Sequence, residues 1–239
     1  MLAVSRTNRG LVRKNNEDSV LVRIPDLFAI ADGMGGSEAG EIASFEAVRR
    51  LQKLTIEEQT DEEVLLSLQT KIEKINEQIW KMANQQPDKK GMGTTLTAVY
   101  IKNTEKAFVA HVGDSRIYLL QDGNLKQVSS DHSYVAELVR QKQLTPMEAE
   151  NSDQKHMILR AVGAEPTVQV DTFEFLLTGV QKLLLCSDGL SNMVPKENIE
   201  EILKGTELEA MADELMGKAL AAGGEDNISF IIIALEDKR

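Results

Sequence analysis

The sequence predicts an α+β fold, a sandwich of antiparallel strands covered by helices. Strand-like and helix-like segments follow one another in the order β-β-α-α-β-β-β, then a mixed region, then β-β-α-β, which is not the regular alternation of a doubly wound parallel sheet. Several neighbouring strand segments are also separated by only a few residues, as antiparallel pairing allows. No repeat, low-complexity stretch or Pro/Gly-rich linker interrupts the chain, so we expect residues 1–239 to form one domain.

Segments rich in β-branched and aromatic residues predict the strands. In chain order they are residues 19–24, 27–31, 94–101, 106–112, 116–120, 168–177, 182–186 and 228–235. A turn signal at Asp122-Gly123 directs the strand predicted at 116–120 back toward residues 125–128 and so predicts a hairpin.

Apolar residues at alternating three- and four-residue steps predict amphipathic helices. The longest stripe consists of Leu65, Leu68, Ile72, Ile75, Ile79 and Met82. A capping box formed by Thr60 and Glu63 precedes it. Two further helices are predicted at about residues 38–54 and 207–222, the second ended by Gly223-Gly224. We interpret these stripes as faces that pack on a sheet.

Composition excludes several classes of function. The net charge of -11 opposes nucleic-acid binding, and no local basic patch stands out. The single cysteine, Cys186, cannot form an internal disulfide, and no Cys/His cluster has zinc-ligand spacing. The sequence contains no signal-peptide pattern and no apolar run of membrane-spanning length. We therefore expect a soluble, cytoplasmic protein that is a monomer and binds neither nucleic acid nor membrane.

Isolated aspartates stand where apolar runs end. Asp32, Asp114 and Asp188 each come directly after, or one or two residues after, such a run. Any one of them alone is typical of a turn, because Asp bonds its own backbone and a following Gly accepts positive φ. Their recurrence at the ends of buried runs, where an unpaired carboxylate is costly, favours a shared site instead.

Other acids stand at the beginning of strands. Glu17-Asp18 opens the strand at 19–24, and Asp226-Asn227 opens the strand at 228–235. If these strand ends share one rim, their oxygens form a pocket for hard divalent cations, and the lack of histidine or thiolate partners selects Mg²⁺ or Mn²⁺. Gly33 leaves its backbone carbonyl open to a cation, because it has no side chain.

A series of short strings makes the sequence specific. They are Arg13-x-x-Asn16-Glu17-Asp18, Ala31-Asp32-Gly33-Met34-Gly35-Gly36, Gly93-Thr94-Thr95, His111-Val112-Gly113-Asp114-Ser115-Arg116, Ser130-Asp131-His132-Ser133, Cys186-Ser187-Asp188-Gly189-Leu190 and Asp226-Asn227-Ile228-Ser229. In this order, across nearly the whole chain, they resemble the PP2C-type (PPM) metal-dependent Ser/Thr protein phosphatases. The chain length and the Asp-Gly-Met-Gly-Gly loop are similar to those of the bacterial single-domain branch.

The resemblance implies two packed antiparallel sheets flanked by helices, a four-layer α/β/β/α sandwich with a metal centre at one edge. It implies that Asp32 bridges two catalytic ions, that Asp188 and Asp226 hold one of them, and that the Gly33 carbonyl binds the other. Asp114, together with Asp188, matches the ligands of a third ion. The ions would be Mn²⁺ or Mg²⁺.

The remaining roles also follow from the resemblance. Glu17 and Asp18 act mainly through waters on the ions, Asn227 belongs to the surroundings of the ligands, and Arg13 grips the substrate phosphate with its forked donors. The expected reaction is hydrolysis of phosphoserine and phosphothreonine by metal-activated water, with no phosphoenzyme. The expected partners are phosphoproteins, including a cognate Ser/Thr kinase that the enzyme opposes.

Two alternatives to this function remain open. One is a non-catalytic phosphoprotein-binding module on the same fold, and the other is a phosphatase of small phosphate esters. Cys186 offers no Cys-x5-Arg phosphatase motif, because Asn192 stands where the arginine would be needed.

Ser37 is where the chain departs from the family. Bacterial members usually carry histidine there, to protonate the leaving alcohol or help to seat the substrate, and a serine hydroxyl is a poor general acid at neutral pH. Ser37 also has the residue type of an N-cap for the helix predicted from Glu38, and the two interpretations are compatible. We interpret the remaining histidines, His111, His132 and His156, as structural or exposed.

The segment at about residues 131–162 resembles the family's flap, which lies beside the site and varies between members. Its polar stretch at 141–154 is typical of an exposed helix and loop. The segment is therefore a candidate surface for the selection of phosphoprotein partners.

Overall fold

The structure, a computed structural model, describes residues 1–35, 39–57 and 60–235. A 5-stranded sheet contains, in spatial order, Leu2–Asn8 (β1), Ile228–Ala234 (β11), Val180–Cys186 (β10), Arg116–Gln121 (β7) and Asn124–Gln127 (β8). A 6-stranded sheet contains Asp18–Arg23 (β2), Leu27–Met34 (β3), Leu96–Lys102 (β5), Lys106–Val112 (β6) and Asp171–Leu176 (β9), with Gly93–Thr94 (β4) paired to β3. All of these pairings are antiparallel.

The described residues also form helices. They are Ala39–Leu51 (α1), Asp61–Gln85 (α2), Tyr134–Arg140 (α3), Pro146–Glu150 (α4), Asp188–Ser191 (α5), Lys196–Leu203 (α6) and Leu208–Ala221 (α7), and a 3-10 turn lies at Pro87–Lys89. Helices α1 and α2 pack on the 6-stranded sheet, and α6 and α7 pack on the 5-stranded sheet. The layers therefore run α/β/β/α, which confirms the predicted fold class.

The apolar strands are buried on both faces, which explains their nearly continuous hydrophobic runs. In β3, Leu27 and Ala29 point toward the helices, whereas Phe28 and Ile30 point into the core between the sheets. In β11, Phe230 packs toward the helical side. The alternation is the period of two that a pleated strand imposes.

One predicted local feature is present in the structure, and several predicted elements differ from it. The capping box before α2 is present, since Thr60 N donates to Glu63 Oε2 at 2.8 Å. The segment predicted at 94–101 is broken at Thr95, and the one predicted at 168–177 becomes a strand only from Asp171. The sequence interpretation missed β1, α3, α5 and α6. Strand β1 lies at an edge of its sheet, and Val4 is its only buried residue.

Antiparallel register brings the acid-bearing strand ends to one edge of the sandwich. Asp18 at the start of β2 lies directly opposite Asp32 near the end of β3. In the other sheet, Ser187 N donates to Ser229 O at 2.9 Å, so the residues that follow β10 lie beside the start of β11.

In the described residues, no helix is long and apolar enough to cross a bilayer.

Candidate metal centre

The predicted acids converge at this edge. The pKa of Asp32 is raised well above its ordinary value, first by burial and then by the negative charges of Asp18, Asp188, Asp114 and Asp226. The strand ends thus place these carboxylates close enough to repel one another. Within the ranges that the structure describes, no group of three or more His, Cys, Asp or Glu side chains is already arranged to hold a metal ion, and the individual ligand assignments stay predictions.

Asp18 is a buried carboxylate with one satisfied oxygen. Its Oδ2 accepts a hydrogen bond from Ser187 Oγ at 2.9 Å, whereas its buried Oδ1 has no partner among the described residues. Burial, together with the charges of Asp188 and Asp226, raises the pKa of Asp18 to about 7, although hydrogen bonds from Ser229 and Ser187 oppose the shift. An oxygen of this kind is what a divalent ion or an ion-bound water would satisfy.

Asp114, two residues after the end of β6, is a second buried carboxylate with an oxygen unpaired in the described residues. Its side chain is buried, and in the part of the chain that the structure describes its Oδ1 also has no hydrogen-bond partner. Burial and the charges of Asp188 and Asp131 raise its pKa to about 7. The two orphaned oxygens, on Asp18 and Asp114, show that this donor set fits hard cations.

The backbone around Asp32 is held on both sides. Asp32 N donates to Thr95 Oγ1 at 2.8 Å, and Asp32 O accepts from Thr95 N at 2.8 Å and from Thr94 Oγ1 at 2.9 Å. Gly33 N donates to Glu17 O at 3.0 Å. A Cβ on Gly33 would overlap the carbonyl oxygen of Gly40 in α1, so only glycine lets the first turn of α1 approach β3 here.

The carboxylates of Asp188 and Asp226 contact nitrogen atoms at the outer edge of the acidic cluster. Asp188 Oδ2 accepts from Asn192 Nδ2 at 3.0 Å and lies 3.8 Å from His156 Nδ1. Asp226 Oδ1 accepts from Asn227 N at 2.8 Å, and Asp226 Oδ2 accepts from Arg13 Nη2 at 2.7 Å. The sequence assigned Arg13 to the substrate phosphate, and the structure places it in an ion pair with Asp226.

Asn227 fixes the loop that carries Arg13. Its Oδ1 accepts from Glu17 N at 2.8 Å, and its Nδ2 donates to Arg9 O and Asn15 O, both at 2.9 Å. The pKa of Glu17 is raised, mainly by burial. Asn227 therefore acts on the site through the backbone of the preceding loop.

The two histidines beside Asp114 are buried and bonded to the backbone. His111 and His132 are fully buried, with ring centroids 4.8 Å apart. Gly113 N donates to His132 Nδ1 at 3.1 Å, and His132 N donates to Gly113 O at 2.8 Å. This double contact fixes the turn that presents Asp114.

Ser37 lies outside the described residues, and its predicted effect on leaving-group protonation stays a prediction. The sequence reasoning missed roles for Ser187, Asn192 and His156. Ser187 stands inside the string Cys186-Ser187-Asp188, which could have marked it, whereas His156 lies in a polar stretch with no sequence signal for its contact with Asp188.

Comparisons with known proteins identify the family of the chain. The family model for Protein phosphatase 2C matches residues 12–222. The serine/threonine phosphatase stp of Listeria welshimeri is 43% identical over 98% of this chain and 95% of its own length. The serine/threonine protein phosphatase PstP of Mycobacterium tuberculosis is 39% identical over 98% of this chain and 45% of its own length.

Solved structures give the same result for the fold. A bacterial serine phosphatase superposes with a TM-score of 0.93 at 34% identity and covers 100% of this chain and 99% of its own. The catalytic domain of PstP in complex with 2 manganese ions superposes with a TM-score of 0.88 at 37% identity, covering 99% and 98%. Since both the family model and near-complete relatives match, the chain belongs to the protein phosphatase 2C family.

Proposed function

We propose that this chain is a metal-dependent protein phosphatase that hydrolyses phosphoserine and phosphothreonine and opposes a Ser/Thr kinase. The observation that carries the proposal is the buried cluster around Asp32, with its mutually repelling carboxylates and the unpartnered oxygens of Asp18 and Asp114. A protein keeps such a cluster at a cost in stability unless cations neutralise it. The relatives that carry phosphatase names support the same activity.

The residues present suit two or three ions. Asp32, Asp188, Asp226 and the Gly33 carbonyl would hold two catalytic ions, Mn²⁺ or Mg²⁺, and Asp114 with Asp188 would hold a third. Oxygen donors without thiolates favour these hard metals. When bound, the ions would supply Lewis-acid activation of water and neutralise phosphoryl charge.

Arg13 is the proposed phosphate clamp of the protein itself. Its side chain is 57% exposed, and its ion pair with Asp226 holds the guanidinium at the rim of the cluster. A guanidinium has five N–H donors in a planar fork, so donors remain for phosphoryl oxygens while one bonds Asp226. Arg13 can therefore orient a phosphate group over the carboxylates.

The thiol of Cys186 is not suited to nucleophilic attack on a phosphate group. Cys186 is buried, and burial raises the pKa of its thiol to about 12. A thiol of that pKa supplies almost no thiolate at neutral pH. This supports direct hydrolysis without a covalent cysteinyl-phosphate.

We also propose that residues 1–239 act as a single cytoplasmic, monomeric domain. Residues 131–162, which include α3 and α4, would form the flap beside the site. The bridges Ser133–Ile158 and Thr94–Val162 tie the return of this segment to its start and to β4, which leaves its outer part free to meet a phosphoprotein.

A phosphothreonine peptide assay in Mn²⁺ tests the function. We expect turnover that disappears with a chelator and falls by several orders of magnitude in Asp188→Asn, since that change removes a proposed ligand charge. Absent or metal-independent turnover in the wild-type protein would favour the phosphoprotein-binding module. Turnover of small phosphate esters alone would favour the other alternative, a phosphatase of small phosphate esters.

A further inference from the structure

Nitrogen donors reach the carboxylate cluster from two exposed segments. Arg13 comes from the loop before β2, and His156 comes from the segment between α4 and β9. Their side chains are 57% and 60% exposed, so both are accessible to a substrate. The role of Arg13 is argued above, whereas the role of His156 in the reaction is unassigned.

The backbone fixes the position of His156. The next residue, Met157, accepts a hydrogen bond through its carbonyl from Tyr134 N at 2.8 Å, and Leu159 N donates to His132 O at 2.7 Å. His132 in turn holds the turn that presents Asp114. His156 is therefore anchored to the scaffold of the site, although it belongs to the flap-like segment.

The contact between His156 and Asp188 is a long ion pair. Nδ1 lies 3.8 Å from Asp188 Oδ2, which is too long for a hydrogen bond. By contrast, Arg13 bonds Asp226 at 2.7 Å and Asn192 bonds Asp188 at 3.0 Å. Among the nitrogen side chains that the described residues bring to these two carboxylates, the imidazole makes the longest contact, and its side chain is 60% exposed.

We propose that His156 contacts the substrate by donating an N–H hydrogen bond to a phosphoryl oxygen, so that the phosphate group is held between His156 and Arg13. The inference rests on the proposed phosphatase function, and it makes His156 the residue through which the flap-like segment enters the active site. A phosphate monoester dianion offers several strong acceptor oxygens, and a hydrogen bond to a charged acceptor is among the stronger ones in proteins.

The decisive variants are His156→Ala and His156→Gln. Glutamine keeps an N–H donor of similar reach, whereas alanine removes it. Lys155→Ala is the matched control, because it deletes a positive charge from the adjacent residue and leaves the ion pair of His156 with Asp188 in place. Because His156 is exposed, we expect its substitution not to impair folding. Thermal melts of all three variants check this.

Binding and turnover are measured separately. Inorganic phosphate is titrated calorimetrically into the magnesium-loaded proteins, Mn²⁺ affinity is measured without phosphate, and kcat and KM are measured on a phosphothreonine peptide. We expect His156→Ala to weaken phosphate binding about 10-fold and to lower kcat/KM about 10- to 100-fold, with Mn²⁺ affinity unchanged. His156→Gln should recover most of the loss, and Lys155→Ala should resemble the wild type.

Two results would overturn the inference. One is wild-type phosphate affinity and kcat/KM in His156→Ala. The other is a loss of Mn²⁺ affinity in that variant that glutamine does not rescue, since His156 would then act on the ions through Asp188. If phosphate affinity depends on His156 but no protein, wild type included, turns over a phosphoester, the contact stands and the proposed function fails.

Discussion

Ser187 Oγ donates a 2.9 Å hydrogen bond to Asp18 Oδ2, and this bond joins the two sheets at the edge where the acids meet. Ser187 follows β10 in one sheet, and Asp18 begins β2 in the other. The same Oγ accepts from Ser229 N at 3.0 Å. One buried hydroxyl therefore sets the spacing between the two groups of candidate ligands.

Ser187→Ala should destabilise the protein. It leaves the carboxylate of Asp18 and the amide of Ser229 buried without this partner, which costs about 1–3 kcal/mol of the free energy of unfolding. Urea unfolding in a chelator measures the change. Ser191→Ala is the matched control, because the buried Ser191 Oγ has no hydrogen-bond partner within residues 1–35, 39–57 and 60–235, and its removal should cost little. Equal effects of the two substitutions would contradict this account.

Asp32→Asn should have opposite effects with and without metal. In a chelator the variant should be more stable than the wild type, by about 1 kcal/mol or more, because it removes one of several buried charges that repel one another. In Mn²⁺ at about 100 times its Kd, the wild type should gain about 2.7 kcal/mol and the variant much less.

Urea unfolding under both conditions measures these stabilities, with the exposed Asp122→Asn as control. If Asp32→Asn destabilises the metal-free protein, the carboxylates do not repel one another as argued.

Arg13→Ala should lower kcat/KM about 100-fold or more, while Arg13→Lys should lose less but not recover fully. Lysine keeps the charge, but it lacks the planar fork that can serve Asp226 and a phosphoryl oxygen together. Steady-state kinetics on a phosphothreonine peptide provide the measurement. Lys14→Ala, an exposed cation of the same loop, serves as control and should retain wild-type kinetics. A fully active Arg13→Lys would mean that only the charge matters.

Gly33→Ala should destabilise the protein and disturb the site, because the added Cβ would overlap the carbonyl of Gly40 and lie 2.6 Å from Glu17 O. A Cβ at Gly217, in the exposed part of α7, meets no atom within 4 Å. Gly217→Ala should therefore stabilise the protein by about 0.5–1 kcal/mol, as expected for a helix interior. Thermal and urea unfolding test the contrast, and a stable Gly33→Ala protein would contradict it.

The sequence predicted the acids of the site because each stands where an apolar run begins or ends. It also predicted the sandwich, because the strand segments are too closely spaced for crossovers. Asp18 lies opposite Asp32 because of the register of β2 and β3. The connection between these two strands is short, so their pairing could be predicted from the sequence.

Long-range contacts could not be predicted in this way. Ser187 and Asp18 are 169 positions apart, and their bond depends on how one sheet packs on the other. His156 stands in a polar segment whose pattern indicates only exposure, and its place beside Asp188 comes from the bonds of Met157 and Leu159 to the segment around His132. Strand β1 escaped prediction because an edge strand buries too few residues to give a clear period.

His111 should make stability depend on pH. Burial and the neighbouring His132 lower its pKa to about 4, although a hydrogen bond with Ser130 O and the charge of Asp171 oppose the shift. The folded state therefore holds His111 neutral, while the unfolded chain binds a proton near the ordinary pKa of 6.5. This contribution to stability is complete well above pH 6.5 and is lost as the pH falls toward 4.

The His111→Gln variant isolates this effect from the carboxylates. Glutamine can keep a hydrogen bond to Thr97, which bonds His111 Nδ1 at 2.8 Å, but it cannot be protonated in this range. The difference in unfolding free energy between wild type and variant should shrink by roughly 2 kcal/mol between pH 8 and pH 5. Urea unfolding in a chelator at intervals across this range measures the difference. A difference that does not change with pH would show that the folded protein protonates His111 as readily as the unfolded chain does.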